Sequence, residues 1–140
     1  MTQVGISIGK AGELTRVKVP TIRYYEDIGL LPVPPRTNSN RRMYNEGDIR
    51  RIKFIRHARE LGFRLEAIRQ LLAIAGLPDE PCDEADEIAR ARLADIKDRI
   101  IRLTALRQEL EEMIETDAHG IIRNCRVIEV LAGHDGFPTP

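Results

Sequence analysis

Residues 84–116 form a run of 33 positions without glycine or proline, rich in Ala, Leu, Ile, Glu, Asp and Arg. Leu93, Ile96, Ile100 and Leu103 step by three and four, Leu110 and Ile114 resume the stripe, and Ala89 stands upstream of it. This is the heptad seam of a helix that pairs, interrupted at Arg107 and widened on one flank by Leu106 and Met113. At ~1.5 Å per residue such a helix reaches roughly 50 Å, longer than a small domain can cover. The seam needs a partner, and the simplest is the same helix from a second chain; the alternative is a long helix lying on its own domain. Cys82 precedes the run and Cys125 follows it, so in one straight chain they are held apart. In a parallel dimer each thiol faces its own copy. In an antiparallel dimer Cys82 of one chain comes beside the 119–125 segment of the other.

The rest of the chain divides by charge. Residues 1–76 hold 14 Lys/Arg against 7 Asp/Glu, and residues 77–140 hold 8 against 15, so the net charge of zero hides a basic half and an acidic half. A basic half suits a polyanion. Aromatics are 4% of a 42% hydrophobic composition, which predicts a modest aliphatic core and favours oligomerisation. The opening MTQVGISIGK has no apolar run of the kind a secretory leader carries, and nothing approaches a membrane span. Two cysteines in that setting point to thiols in a reducing cytoplasm.

Along the basic half, residues 6–17 read as a short helix with Ser7 as N-cap and Ile8, Ala11 and Leu14 on one face. A tight connection at 15–19 leads to a second helix over 20–28, opened by Pro20 and stopped by Gly29. Two short helices joined by a tight turn, the second carrying Thr21, Arg23 and Tyr24, match a helix-turn-helix. In LLPVPPRTNSNRRMY, three prolines in four residues forbid helix. Asn38, Ser39 and Asn40 then turn a small hairpin, or wing, between arms 30–37 and 41–44, with Arg36, Arg41 and Arg42 clustered on it. A third helix starts at Asn45 or Asp48 and stops at Gly62, with Ile49, Ile52, Phe54, Ile55 and Ala58 as its apolar positions. A fourth spans 64–75, with Leu65, Ile68, Leu71 and Leu72 facing in. Beyond the long helix, 121–132 is apolar at helical spacing and reads as a short closing helix. No phosphate-binding glycine loop and no nucleophile–base pair suggests an enzyme.

TIRYYEDIGLLP, then RRMYNEGDIRRIKFIRHARELGFRLEAIRQLL, then a coiled coil, resembles the MerR family of transcriptional regulators in register over residues 6 to about 116. The IRYYE–GLL–R–Y–D–FI–LGF–I–LL framework is specific to one winged helix-turn-helix family. The resemblance implies a mainly α chain: a winged helix-turn-helix DNA-binding domain over 1–76, a linker at 77–83, a long antiparallel coiled-coil dimerisation helix over 84–116 and a short effector segment over 117–140. It implies a homodimer on double-stranded promoter DNA whose recognition elements are too far apart, activating by distorting that DNA so that RNA polymerase uses both. Carried over by position, Thr21, Arg23 and Tyr24 lie on the recognition helix, Tyr25 packs, and Arg36, Arg41, Arg42 and Tyr44 are wing residues, the last three at backbone-contacting positions. Arg50, Arg51 and Lys53 read as ordinary surface charges.

Metal-sensing members of the family place a cysteine at the start of the dimer helix and two in a loop after it. Cys82 and Cys125 match the first and last of these, but the segment TDAHGIIRNC lacks the other loop cysteine and has Asp117 and His119 near its place. The resemblance therefore implies Cys82, His119 and Cys125 drawn from two chains, with Asp117 or His134 as candidate fourth ligand. Two sulfurs, an imidazole and one more donor suit zinc first, and also cadmium, cobalt or lead. The alternative is a thiol-based sensor of oxidants or electrophiles with Cys82 as the reactive group. A small organic effector is disfavoured by the scarcity of aromatics, and a scaffold that only dimerises is the remaining reading.

Overall fold

Ser7 opens the first helix: its backbone is extended and its hydroxyl accepts the Lys10 N–H at 3.1 Å, satisfying one of the donors that a helix start leaves unpaired. The computed structural model describes residues 5–36, 38, 41–116 and 120–133. Its helices are α1 (Ile8–Thr15), α2 (Val19–Asp27), α3 (Glu46–Glu60), α4 (Leu65–Ala75), α5 (Asp83–Glu115) and α6 (Arg126–Ala132), with a 3-10 turn at Ile122–Asn124. The chain is mainly helical, and no strand occurs among the described residues. It divides into two units, Met1–Ala89 and Arg90–Pro140, with the division inside α5.

In the first unit, α1 packs against α2 and α3, and α3 against α4. The buried face of α1 differs from the expected one. Ala11 and Thr15 are wholly buried, whereas Leu14 is 44% exposed. Thr15 tolerates burial because its hydroxyl donates to the Ala11 carbonyl at 2.7 Å and accepts the Val17 N–H at 3.3 Å. Arg16 then adopts left-handed backbone (φ 59°) and turns the chain. The returning strand of backbone passes close to Gly12, where a Cβ would stand 2.9 Å from the Val17 carbonyl oxygen.

The other helix ends follow their punctuation. Pro20 sits in the first turn of α2, which begins one residue earlier than the proline start expected. Gly29 (φ 79°) closes α2, with Leu30 N–H on Tyr25 O at 2.9 Å and Gly29 N–H on Glu26 O at 3.1 Å, the paired bonds of a Schellman end. Asn45 and Asp48 exchange side chain-to-backbone bonds of 2.8 and 3.0 Å at the start of α3, a capping box. Between these helices lies an aliphatic core in which Ile22, Leu30, Leu31, Ile52, Ile55 and Ile68 are almost completely excluded from solvent. Phe54, expected among the apolar positions of α3, is 36% exposed.

The wing is thinner than a regular hairpin. Among the described residues its pairing is two isolated antiparallel bridges, Arg36 with Arg42 and Ile6 with Tyr44. Pro32, Pro34 and Pro35 have no N–H to donate, so a ladder cannot extend along that arm. In the second unit, α5 buries only Met113. Leu93, Ile100, Leu103, Leu110 and Ile114 of the seam are 49–64% exposed. The single closing helix expected over 121–132 is interrupted: Cys125 is extended (φ −73°, ψ 117°) between the 3-10 turn and α6. Asn124, a weak helix former, ends that turn. Among the described residues no helix is long and apolar enough to cross a membrane.

The close approach at Gly12 gives a direct check. Gly12→Ala forces a methyl group against backbone and is expected to destabilise the fold by about 1–3 kcal/mol. Gly9→Ala, where nothing lies within 4 Å of the new methyl, is expected to be neutral or stabilising by up to about 1 kcal/mol. Urea unfolding midpoints compare the two.

Candidate functional site

α2 has two distinct faces. Ile22, Tyr25 and Glu26 are buried, Arg23 and Tyr24 are exposed, and Thr21 is half-buried. The buried trio seats the helix on the core, so the residues expected to meet a ligand project from a fixed platform. Tyr25 is a packing residue, its ring tilted against Tyr24 with centroids 6.2 Å apart.

Glu26 is the residue that the sequence did not advertise. Its side chain is only 3% exposed, and an unpaired carboxylate there would be strongly unfavourable. Both of its partners come from the wing: Arg42 Nε donates to Oε2 at 3.2 Å, and the Tyr44 hydroxyl donates to Oε1. Arg42 is therefore a tether as well as a surface group, its side chain 24% exposed. Tyr44 is 0% exposed, which corrects its expected place at a DNA-backbone contact. It lies beneath the wing because its ring completes the core while its hydroxyl neutralises a buried acceptor. Arg36 and Arg41 are exposed. The outward-facing set is thus Arg23, Tyr24, Arg36, Arg41 and the edge of Arg42, donors suited to phosphate oxygens.

Three further arginines donate to carbonyls at or just past the ends of α1 and α2, Arg51 and Arg56 from half-buried positions and Arg69 from an exposed one that also pairs with Glu66 at 3.5 Å. Arg56 Nη1 donates to Thr15 O at 3.2 Å, at the end of α1. Arg51 Nε donates to Leu30 O at 2.7 Å, and Arg69 Nη2 to Ile28 O at 2.8 Å, both just past the end of α2. Arg51 is half-buried and is no ordinary surface charge. All three stand beside a fully buried isoleucine (Arg51 beside Ile52, Arg56 beside Ile55 and Arg69 beside Ile68), so their stems start at the rim of the core.

The thiols are set on helix starts. Cys82 is exposed, its carbonyl accepts the Asp86 N–H at 2.9 Å, and its Sγ lies 3.9 Å from Asp86 Oδ2. Cys125 is half-buried, and its carbonyl accepts the Glu129 N–H at 3.0 Å. Asp117, His119 and His134 lie outside the described residues. Among the described residues, no three His, Cys, Asp or Glu side chains come together as a metal-binding group. The two sulfurs are soft donors that suit a thiophilic divalent ion.

The Tyr44–Glu26 contact predicts alkaline behaviour. Burial, then the hydrogen bond to Glu26, raises the Tyr44 phenol above its ordinary value, and burial raises Tyr25. A raised folded-state pKa means that the unfolded chain loses these protons first. The contribution to stability is therefore complete below about pH 10 and falls as pH rises beyond it. Tyr44→Phe is expected to destabilise the fold by about 1–3 kcal/mol at neutral pH, since a buried carboxylate loses a donor, and to flatten the loss above pH 10. Denaturant midpoints as a function of pH test both.

Comparison with known proteins agrees with this arrangement. A family model described as MerR HTH family regulatory protein matches residues 6–74, and one described as MerR, DNA binding matches residues 49–113. The HTH-type transcriptional regulator ZntR of Escherichia coli (strain K12) is 38% identical over 128 residues, covering 89% of this chain and 90% of its own length. HmrR, an HTH-type transcriptional regulator of Rhizobium leguminosarum bv. viciae, is 38% identical over 128 residues, covering 91% and 98%. Among solved structures, the transcription regulator PbrR691 from Ralstonia metallidurans CH34 in complex with lead(II) aligns with a TM-score of 0.78 at 33% identity, covering 90% of this chain and 98% of that one. These relatives are regulators rather than enzymes. With the helix-turn-helix, the wing and the long helix all inside the matched region, the chain belongs to the MerR family of DNA-binding transcriptional regulators.

Proposed function

We propose that the chain acts as an antiparallel homodimer on promoter DNA, activating transcription when a divalent metal ion binds thiols supplied by both protomers. The observation that carries this reading is the exposed Cys82 at the start of a 33-residue helix whose apolar seam stays exposed. Burying each Leu or Ile of that seam against a second copy contributes about 1.5–3 kcal/mol. Pairing the helices head to tail brings the start of one to the end of the other, so Cys82 of one protomer serves with Cys125 and His119 of the other, and Asp117 or His134 completes the set. Zinc is the first choice of ion, with cadmium, cobalt and lead compatible; the lead(II) complex of PbrR691 supports a metal effector. Bound there, the ion supplies a cross-link between protomers. Arg23 approaches base edges or phosphate, Tyr24, Arg36, Arg41 and Arg42 grip the DNA backbone, and the dimer bends and untwists an overlong spacer so that RNA polymerase engages both promoter elements. The reading places the protein in the cytoplasm.

A thiol-chemistry sensor is the competing reading, and the surroundings of Cys82 weigh against it. Asp79, Glu80, Asp83, Glu84, Asp86 and Glu87 lie within a few residues of it. That neighbourhood attracts a cation, whereas reactive thiolates sit in electropositive surroundings.

Two sets of measurements test the proposal. Arg23→Ala and Arg42→Ala are expected to weaken binding to an inverted-repeat promoter duplex and each to reduce the salt slope by about one; parent-like binding by both across a salt series would remove them from the interface. Cys82→Ser and Cys125→Ser are each expected to abolish metal-induced transcription while DNA binding survives. Mixing and refolding the two serine variants provides the decisive control. In an antiparallel dimer, the heterodimer keeps one site with both sulfurs, so zinc titration followed by competition with a chelator recovers tight binding. No recovery would refute the shared site.

A further inference from the structure

We infer that Arg51 and Arg69 are positioning residues for DNA recognition, clamping the exit of α2 so that Arg23 and Tyr24 are presented at a fixed angle. The inference rests on the reading of α2 as the recognition helix. The Schellman end of α2 satisfies the carbonyls of Tyr25 and Glu26 through the N–H groups of Leu30 and Gly29, and Ile28 N–H reaches Tyr24 O at 3.0 Å. Of the carbonyls further out, those of Ile28 and Leu30 receive guanidinium groups instead, Arg69 from α4 and Arg51 from α3. These two carbonyls flank Gly29, the left-handed residue at which the chain swings from the recognition helix into the wing. A Cβ at Gly29 would lie 3.4 Å from Arg69 Nη1, so the guanidinium rests directly against that pivot.

The arrangement is suited to holding a helix still. Two separate support helices grip the pivot from either side through charge-assisted bonds, the stronger class of hydrogen bond. Positive charge at that end also complements the helix dipole. Leu30, between the clamped carbonyls, is wholly buried, which gives the exit a third anchor. An α2 of nine residues is too short to be stable by its own hydrogen bonds, so contacts at its end add to the seating that Ile22, Tyr25 and Glu26 provide. Loss of either guanidinium returns a carbonyl to water and frees the pivot, and the aim of Arg23 suffers without any DNA contact being removed. Phosphate-contacting arginines behave differently, because each one lost lowers the salt dependence of binding.

The test uses the full-length dimer. Selection from a random-sequence duplex pool by the parent protein supplies the cognate duplex, and a scrambled duplex of equal length serves as the non-specific reference. Fluorescence anisotropy over a salt series then compares the parent with Arg51→Met and Arg69→Met. The expected result is a drop of about tenfold or more in the cognate-to-scrambled affinity ratio, similar to one mismatched base pair, with the salt slope unchanged. A ratio equal to the parent's overturns the inference, as does a slope lowered by about one, which would make the arginine a phosphate contact. Should a methionine variant fail to reach parental helix content by circular dichroism, Arg51→Lys and Arg69→Lys are read by the same two criteria. A parent protein that selects no duplex would overturn the recognition-helix reading itself, an outcome distinct from a parent that selects one and variants that match it.

Discussion

A carboxylate sealed into an aliphatic core governs how the DNA-binding half is put together. Glu26 sits on the recognition helix, yet the groups that neutralise it, Arg42 and Tyr44, belong to the wing. Leaving a buried acceptor short of a donor costs about 1–3 kcal/mol, so helix and wing are held in one mutual arrangement. This constraint explains how the base of the wing, with three prolines and isolated bridges among the described residues, is tied to α2. The ordering comes from one side-chain cluster rather than from a sheet ladder.

The helix-turn-helix, the long helix and most element boundaries were legible in the sequence because their punctuation is local. Ser7, Pro20, Gly29, Asn45 with Asp48, and Gly62 each act through bonds within a turn of themselves. The errors have a different origin. Leu14 and Thr15 exchanged roles because a threonine near a helix end can bond back to its own helix and enter the core, which hydropathy does not register. Tyr44 looked like a surface phenol among arginines, and only the tertiary position of Glu26, eighteen residues earlier, reveals why it is inside. Reading Arg51 as an ordinary surface charge failed for the same reason, since the carbonyl it serves belongs to Leu30, 21 residues earlier and just past the end of another helix. The proposed thiol site is legible only as one cysteine just before the long helix and another beyond its end, because its proposed completion involves a second chain.

Arg51, Arg56 and Arg69 also change the meaning of the basic N-terminal half. Part of its charge excess is internal structure, spent on the carbonyl ends of α1 and α2 and of the turn that follows. The charge left to meet a polyanion is correspondingly smaller than the composition suggests. Short helices with few aromatics to weigh them down are held by their ends.

Cys82 combines two attachments in a single residue. Its carbonyl is the first acceptor of α5, taking the Asp86 N–H, while its sulfur is exposed. A group that seizes the sulfur thus seizes the origin of the helix with almost no slack between them, since only Cα and Cβ intervene. Any sideways pull at that atom is delivered to the first turn of the helix rather than absorbed by a floppy side chain.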